Sequence, residues 1–555
     1  MLSRTRPGRL ALAAGVLLLA ACEPDAALSP DATAVDPAPS LAVRNASTAT
    51  TSGHPTLPKA TVSTAMPAVT GKTITVPSGG NLQKAIDDAA PGDVIVLKAG
   101  ATYTGNFTLR KKSGTGWITI RTSASDAQLG APGTRVSPSR ASVMPKIVSP
   151  NASPAIKTAS GAHHYRIVGV EITAASAVKN SYQLVMLGNG SVSSQSSASQ
   201  VPSHIVIDRS YIHGRSTMNL KNCVELHSAH TAIVDSYLSE CHSAIQESHA
   251  IIGWNGPGPF LIENNRIEGA GINVMFGGAD PASDAMTPAD ITIRRNHVIK
   301  PLAWKDKWGV KNLLELKIGR RVLVEGNVFE NSWSDQQVGF AFVLKTAVGS
   351  RASSWGRTED VTVRHNLIRN AAGGASMSAR DGSRGLASRR YRFEHNVWEG
   401  IGASNGTTMG RIFQVLPGVN DVQIEHNTAI HATSAARMLV TFGNGPVSGF
   451  VFRDNLATHG SYGVKGDGTG VGTDALNKRA PGYVFTHNVI IGGKASQYPA
   501  TNLFPSATSS VGFVSLSGRD YRLASSSSYR GKASDGTDPG ANVAALTAAI
   551  AGVAK

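Results

Sequence analysis

The chain has few charged residues, few aromatic residues and almost no cysteine. Of its 555 residues, 16% are charged, 6% are aromatic and three are Cys. So low a charged fraction excludes a long coiled coil or helical array, which Ala, Glu, Lys, Leu and Arg would dominate. Three cysteines exclude a disulfide framework. The 58 Gly and the 41% of hydrophobic residues instead favour many short strands joined by tight turns, and they exclude wholesale disorder.

The chain also lacks an apolar run long enough to cross a membrane as a helix. The longest run spans residues 10–21, whereas a helix needs about 20 residues to span a bilayer core. We interpret residues 1–21 as a secretory signal, with a basic start and an apolar centre. The signal ends in Leu19-Ala20-Ala21-Cys22, which resembles a bacterial lipobox. This resemblance implies an exported lipoprotein, lipidated at Cys22 and anchored in the cell envelope, with the outer membrane expected.

Residues 22–70 consist largely of Ala, Pro, Ser and Thr, so we predict a disordered tether. A short alternating strand begins at residue 72, and Asn81 is a plausible N-cap for a helix over residues 82–90.

The two cysteines other than Cys22 are Cys223 and Cys241. They form either a disulfide bond or, as the sequence favours, two small buried core residues.

A repeat with a period near thirty residues dominates the rest of the chain. Each copy carries an Asn with apolar residues five and three positions before it, as in the segment around Asn366. Successive Asn are 31, 31, 39, 30, 31, 28 and 33 residues apart, and Ser236 and Ser210 take the same position in two earlier copies. The Asn of the frame are Asn265, Asn296, Asn327, Asn366, Asn396, Asn427, Asn455 and Asn488.

A regular period with alternation inside each copy predicts a β-solenoid over residues 71–540, followed by a helical tail over residues 541–555. Coils stacked about 4.8 Å apart cover one another's inward side chains. We expect each Asn to lie at a corner, to tolerate left-handed backbone there, and to hydrogen-bond the Asn of the next coil. These Asn are therefore predicted to be structural.

The chain resembles the right-handed parallel β-helix proteins of the pectate-lyase-like superfamily, whose members have the pectin lyase fold. The resemblance rests on the segments 82–86, 91–97 and 100–105 together with the Asn repeats through Asn488. It extends over nearly everything after the tether. It implies an all-β, right-handed parallel β-helix with an N-terminal capping helix, and an activity on polysaccharide.

A second strand precedes the Asn strand in each coil, at residues 224–227, 244–249, 272–276 and 314–317. Alternation turns every other side chain outward on one flank, where stacked coils would line a shallow groove for an extended sugar polymer. The side chains predicted to face this groove are Glu225, His227, Asn273, Glu315 and Lys317. Trp254, Trp304 and Trp308 lie in turns of the same coils as candidate sugar platforms, with packing under a loop as the alternative.

The activity that the resemblance implies for an acidic polysaccharide is β-elimination. This reaction needs a base for the proton beside the uronate carboxylate and a cation that neutralises the carboxylate. Residues 312–317 resemble the strand that bears the catalytic lysine in alginate-lyase and chondroitinase-B-type β-helix enzymes, where Lys317 is the matching residue. We predict Lys317 as the base, with an ordinary ion pair to Glu315 as the alternative. The other candidates are His227 or His249 as base and Arg320 or Lys345 as charge neutraliser.

The cofactor is left open. Ca²⁺ is the candidate ion and Glu225, Glu247 and Glu315 are its candidate ligands. Glycoside hydrolysis is a third choice, because it needs carboxyl groups about 5–9 Å apart, whereas Asp208 and Asp235 each stand singly in their coils. A non-catalytic carbohydrate-binding or adhesive solenoid is the main alternative to a lyase.

The formal net charge of +16 favours an anionic polysaccharide as the partner. The sequence contains neither a phosphate-binding loop nor a nucleic-acid-binding module, so nucleic acid is not expected. We expect a monomer whose contact with a membrane is through the lipid anchor only.

Overall fold

The structure is a computed structural model that describes residues 53–402, 410–431 and 437–554. The signal segment, Cys22 and the tether up to residue 52 lie outside the described residues, and their assignments stay predictions. Within the described ranges, no helix is both long enough and apolar enough to cross a membrane.

Short strands are the main regular element of the described chain. The first twenty are β1 Thr73–Val76, β2 Val94–Leu97, β3 Thr102–Thr104, β4 Phe107–Leu109, β5 Ile118–Thr122, β6 Lys146–Ser149, β7 Ile156–Thr158, β8 His163–Val168, β9 Glu171–Ala174, β10 Asn180–Gly188, β11 Ser203–Asp208, β12 Tyr211–His213, β13 Asn219–His227, β14 Ala229–Val234, β15 Tyr237–Cys241, β16 His249–Gly253, β17 Phe260–Glu263, β18 Arg266–Gly269, β19 Ile272–Phe276 and β20 Ala289–Arg294.

The remaining strands are β21 His297–Ile299, β22 Asn312–Leu316, β23 Gly319–Glu325, β24 Val328–Ser332, β25 Phe340–Thr346, β26 Thr358–Arg364, β27 Leu367–Ala371, β28 Gly373–Arg380, β29 Arg389–Glu394, β30 Val397–Glu399, β31 Arg411–Val415, β32 Asn420–Glu425, β33 Thr428–Ile430, β34 Met438–Phe442, β35 Ser448–Arg453, β36 Leu456–Thr458, β37 Gly463–Gly466, β38 Val484–Thr486, β39 Val489–Ile491, β40 Phe513–Ser515 and β41 Asp520–Leu523. The helices are α1 Leu82–Asp88, α2 Asp126–Leu129, α3 Thr473–Arg479 and α4 Val543–Ala549.

Three long parallel sheets run the length of the solenoid. Sheet A has fourteen strands from β1 to β38, sheet B has thirteen from β3 to β39, and sheet C has twelve from β4 to β37. Each coil passes through sheet C, then A, then B, as β13, β14 and β15 do, and β16 pairs with β13 to begin the next coil. The chain is a right-handed parallel β-helix, as the repeat predicts.

The three sheets enclose one apolar core. Val224 of sheet C, Ile233 of sheet A and Leu238 of sheet B are fully buried within a single coil. Helix α1 closes the first coils by burying Leu82 and Ile86, and the Asn81 side chain accepts the backbone N–H of Lys84 as the predicted N-cap. The helix ends at Asp88 rather than at residue 90.

The Asn ladder forms as predicted. Asn366 is representative: its Nδ2 donates to the carbonyl oxygens of Val324 and Arg364 and to Asn396 Oδ1, while its Oδ1 accepts the backbone N–H of Asn327. Equivalent bonds join the neighbouring coils, so an unbroken amide ladder satisfies the buried backbone at the corner between sheets A and B. Ser236 and Ser210 extend it into the earlier coils.

The left-handed residue at this corner is not the ladder Asn but the residue before it. Asn264, Arg295, His365, His395 and His426 all have φ between 50° and 56°. The prediction of left-handed Asn was wrong by one position. The preceding residue makes the tight turn with its side chain outside, which leaves the Asn side chain free to point into the corner.

The regular coils end before residue 540. After β39, Asn502 adds one more rung by accepting from the backbone N–H and Nδ2 of Asn488. β40 and β41 then form a separate antiparallel pair. The chain returns along the corner to α4, and Arg295 and Arg135 donate to the carbonyl oxygens of Ala549 and Val553.

Residues 53–70 lie along the outer face of sheet A instead of projecting as a tether. Gln423 Nε2 donates to the Gly53 carbonyl oxygen, and the backbone N–H groups of Thr56 and Lys59 donate to Asp360 and Asp290. We call this segment the N-terminal arm. It runs from the last coils toward the first, with Val62 buried against Val206, Ala232 and Leu261.

Cys223 and Cys241 form a disulfide bond, so the favoured prediction of two free cysteines was wrong. Cys223 in β13 of sheet C and Cys241 at the end of β15 of sheet B point into the same coil interior, with 5.7 Å between their Cα atoms. Sequence spacing could not reveal this, because the pairing depends on how one coil closes.

Replacement of Asn366 by Ala should lower the free energy of unfolding by about 1–3 kcal/mol, because it leaves buried backbone groups without partners. Urea denaturation measures this. Asn477→Ala, an exposed change on α3, is the control and should alter stability by no more than about 0.5 kcal/mol. Equal effects of the two substitutions would contradict the role of the ladder.

The disulfide predicts that Cys223 and Cys241 resist alkylation in denaturant unless a reductant is added. The double Cys→Ala variant should lose about 3 kcal/mol of stability, as expected for a loop of this size. Mass spectrometry of the alkylated protein decides the first point and denaturation the second. Alkylation of both residues without reductant would contradict the bond.

Candidate functional site

Two strands of sheet C, β13 and β22, share a side-chain pattern that departs from simple alternation. In β13, Asn222 faces outward, the next two residues face the core, and Glu225 faces outward again. β22 repeats the pattern with Asn312 and Glu315. The chain is still rounding the corner from sheet B, so two successive side chains turn inward there.

This pattern places an Asn and a Glu side by side on the outer face. Asn222 Nδ2 donates to Glu225 Oε1 at 2.7 Å, and Asn312 Nδ2 donates to Glu315 Oε2 at 3.0 Å. The role of Asn222 was missed from the sequence. The available signal was a repeated Asn-x-x-Glu-Leu, which begins at residues 222 and 312.

The same pattern overturns the assignment of Asn273 as a substrate-binding residue. Asn273 follows the outward Ile272 and is fully buried, and its Nδ2 donates to the carbonyl oxygens of Ile267 and Ile299. Its Oδ1 accepts from Lys300 Nζ, an ammonium group that also donates to three backbone carbonyls. Asn273 is therefore structural.

One chain of hydrogen bonds links β13, β16 and the turn before β22. Asn222 Nδ2 faces Glu225, so Asn222 Oδ1 faces His249 Nδ1 at 2.8 Å. His249 Nε2 lies 3.0 Å from Glu247 Oε1, and Glu247 is also paired with Lys311. Both ring nitrogens of His249 thus face an oxygen atom of a neighbouring side chain.

Glu247 is held in its ionised form. Burial by itself would raise the pKa of this carboxyl. The hydrogen bond from His249 and the positive charges of His249, Lys317 and Lys311 outweigh burial, and the net pKa is lowered below its ordinary value.

Lys317 and Lys345 meet over one carboxylate. Lys317 Nζ lies 3.8 Å and Lys345 Nζ 3.6 Å from the same atom, Glu315 Oε1. Lys345 also pairs with Asp381 at 2.8 Å. The structure thus brings the predicted base and one of the two predicted charge neutralisers together.

We call this connected group the polar cluster. Two of its carboxylate side chains lie deep, with exposed fractions of 2% for Glu315 and 10% for Glu225, whereas Glu247 is 25% exposed. The lysine side chains have exposed fractions of 21% for Lys317 and 18% for Lys345. Glu315 is therefore a buried counter-charge beneath two partly exposed ammonium groups. The members are Asn222, Glu225, Glu247, His249, Lys311, Asn312, Glu315, Lys317 and Lys345.

The other predicted site residues lie beneath or beside this surface. His227 is fully buried, with its ring centroid 4.2 Å from that of Trp254. Trp254 is partly buried and donates to the Gly190 carbonyl oxygen. Neither His227 nor His249, which is 2% exposed, has a ring nitrogen turned to solvent as a base would require.

Trp304 and Trp308 pack around a histidine rather than lining an open groove. Trp304 is 6% exposed, in a small core with Trp333 and Val310. Trp308 stacks on the buried His242 at 3.8 Å between ring centroids. The alternative of packing under a loop therefore holds for these two tryptophans.

Arg320 lies on a different sheet. It belongs to β23 of sheet A, where it pairs with Asp284 and lies 4.0 Å from Glu359. Its strand begins beyond the turn that follows Lys317, so sequence proximity to that lysine did not place the two on one face.

The three candidate metal ligands do not converge. Glu225 and Glu315 are three strand steps apart, about 14 Å, and each of the three carboxylates is engaged by different neighbours. Among the residues that the structure describes, no three His, Cys, Asp or Glu side chains come together as a metal site. These glutamates do not fit a shared Ca²⁺ site.

No family model and no curated protein sequence matches the chain. Several solved structures are similar. An alginate lyase from Paenibacillus sp. str. FPU-7 is 13% identical with a TM-score of 0.30, over 75% of this chain and 99% of that one. The PL6 family alginate lyase AlyGC is 11% identical with a TM-score of 0.38, over 81% of this chain and 53% of that one.

A third is the catalytic unit of a GH87 alpha-1,3-glucanase from Streptomyces thermodiastaticus. It is 12% identical with a TM-score of 0.42, over 81% of this chain and 72% of that one. Similarities this low do not assign an activity.

Glu247→Gln should lower the free energy of unfolding at about pH 7 by about 1.5–3 kcal/mol, because charged hydrogen bonds are lost. The pKa of Glu247 is lowered in the folded state, so its stabilisation is fully present above about 4.5 and is lost as pH falls further. Denaturation of both proteins across this range should show the difference shrinking in acid.

Asp88→Asn is the matched control, since Asp88 is half exposed and pairs only with Lys84 at the surface. It should change stability by less than about 1 kcal/mol at any pH. A difference between wild type and Glu247→Gln that stays constant into acid would contradict the assignment.

Proposed function

We propose that the protein binds acidic polysaccharide along the outer face of sheet C. The observation that carries this proposal is the placement of Lys317 and Lys345 over one buried carboxylate. Two ammonium groups within reach of one oxygen suit a planar carboxylate from a ligand. Lys311 adds a third ammonium group on the same face.

The geometry of the face supports a polymer rather than a small molecule. Sheet C presents similar positions about every 4.8 Å along the solenoid axis, a spacing close to the length of one sugar unit. Parts of sheets A and B are covered by the N-terminal arm and the C-terminal segment. The net charge of +16 attracts polyanions.

We further propose that the bound chain is cleaved by β-elimination, with Lys317 as the base. Its amine would take the proton from the carbon beside the uronate carboxylate, while Lys345 neutralises that carboxylate. The bond to the leaving oxygen then breaks, its electron pair goes to the oxygen, and a carbon–carbon double bond forms. Water supplies the proton for the leaving oxygen.

Hydrolysis is less well supported. Glu225 and Glu315 are the outward carboxylates of sheet C in these coils, and their separation of about 14 Å exceeds the roughly 5–9.5 Å that glycosidase pairs require. Asp208 is buried in ion pairs with Arg166 and Arg209. Asp235 is held by Asn264.

We also propose export and lipid anchoring through Cys22 in the bacterial cell envelope, at the outer membrane, with the protein acting as a monomer. The Cys223–Cys241 disulfide supports export, because such bonds persist in oxidising compartments. Metabolic labelling with a radioactive fatty acid tests the anchor. Label in the wild type and none in Cys22→Ala is expected.

Lys317→Ala and Lys345→Ala should each weaken binding of alginate, pectate or a glycosaminoglycan by about tenfold, since each removes a charged hydrogen bond. Lys317→Ala should also abolish the ultraviolet absorbance of unsaturated uronate products. Lys478→Ala, an exposed helix lysine paired with Asp474, is the matched control. Affinity electrophoresis and product absorbance measure the two effects.

The outcomes separate the two parts of the proposal. Binding that depends on both lysines without any unsaturated product would leave a carbohydrate-binding solenoid and remove the lyase. Absence of binding to every acidic polysaccharide tested would remove both.

A further inference from the structure

Two tyrosines stand apart from the other aromatic residues. Tyr182 is 62% exposed and Tyr462 is 36% exposed, and every other aromatic side chain in the described ranges is buried or half-buried. The core of the solenoid takes up nearly all of its aromatic rings, so leaving two in solvent forgoes hydrophobic stabilisation. Isolated exposed rings are common on protein surfaces, so the neighbours and the positions of these two tyrosines decide what they can bind.

A lysine ammonium group lies over each of these two tyrosine rings. Lys221 Nζ lies 5.1 Å from the centroid of the Tyr182 ring, and Lys465 Nζ lies 5.0 Å from that of Tyr462. The ring offers an apolar face and the ammonium group a positive charge beside it. This combination matches a uronic acid unit, which has an apolar ring face and a carboxylate.

Both pairs lie on the same margin of sheet C. Tyr182 is one position before Gln183, which pairs with Asn222. Tyr462 is one position before Gly463, at the equivalent place in the last strand of the sheet. Strand-by-strand register from β10 to β37 therefore places the two tyrosines in one column, at its two ends.

The distance between the two tyrosines matches the length of a chain of several sugar units. Nine strand steps separate β10 from β37, which is about 43 Å at about 4.8 Å per step. Lys311 and Arg437 occupy the same column between them, and the polar cluster lies beside it. The margin thus carries an aromatic–lysine pair at each end and cations in between.

We propose that the Tyr182–Lys221 and Tyr462–Lys465 pairs are terminal subsites that hold a long acidic glycan stretched along sheet C. This inference rests on the proposed function and specifies its ligand: a chain of about nine or more sugar units, held at both ends and at the polar cluster. A chain of about four units that fills the polar cluster does not reach Tyr462, which lies four strand steps beyond Lys345 of β25, about 19 Å.

An acidic glycan fits these pairs better than the other polyanion that stacks on aromatic rings, single-stranded nucleic acid. Each end offers one ring rather than a run of rings for successive bases. The internal disulfide also favours an exported protein, whose surroundings contain glycans.

The test compares uronic acid oligomers of about four and about twelve units, binding to the full chain in calorimetry. Tyr182→Ala and Tyr462→Ala should each weaken binding of the long oligomer about three- to tenfold, and Tyr462→Ala should leave the short one unchanged. Tyr182→Phe and Tyr462→Phe keep the ring and should bind as wild type does. Both tyrosines are exposed, so thermal denaturation should be unaltered.

If the wild type binds both oligomers, two results would overturn the subsites and leave the proposed function standing: equal weakening of the long and the short oligomer by Tyr462→Ala, or no weakening of the long oligomer by either Ala variant. A wild type that binds neither oligomer would overturn both. Tighter binding of single-stranded DNA than of the long oligomer, lost in the Ala variants, would assign the pairs to nucleic acid and overturn the glycan proposal.

Discussion

Hydrogen bonding between one coil and the next is the constraint on which the rest of this molecule depends. A single coil has too little interior to bury its own side chains, and its backbone pairs only with coils above and below. The corner between sheets A and B is the hardest place to satisfy, since the chain turns there within two residues. The Asn ladder meets this need by supplying donors and acceptors that the bent backbone cannot supply for itself.

That constraint explains how much of the fold could be predicted from the sequence. Because every coil must present an amide at the same corner, Asn366 and its equivalents recur at a period that predicts the architecture and much of the core. The N-terminal arm escaped prediction for the opposite reason: residues 53–70 have no repeat and no apolar run, and they are held by backbone hydrogen bonds to side chains of distant coils. Such contacts leave little trace in composition.

The candidate site was only partly predictable, and the reason is geometric. Alternation correctly placed Glu315 outward because it lies in the straight part of β22, and Lys317, directly after the end of this strand, lies on the same side. It failed for Asn273, which lies where the chain is still rounding a corner and two successive residues turn inward. It also could not show that Glu315 would be buried beneath two lysines, because depth depends on the loops that flank sheet C.

The contacts of the N-terminal arm constrain the order in which parts of the chain can fold. Gly53 accepts a hydrogen bond from Gln423, a residue 370 positions later in the chain, and Thr56 and Lys59 bind Asp360 and Asp290. During synthesis these partners do not exist until most of the solenoid has left the ribosome. The described residues that are made first are therefore among the last to dock. The N-terminal arm can dock fully on sheet A only after the later coils have formed.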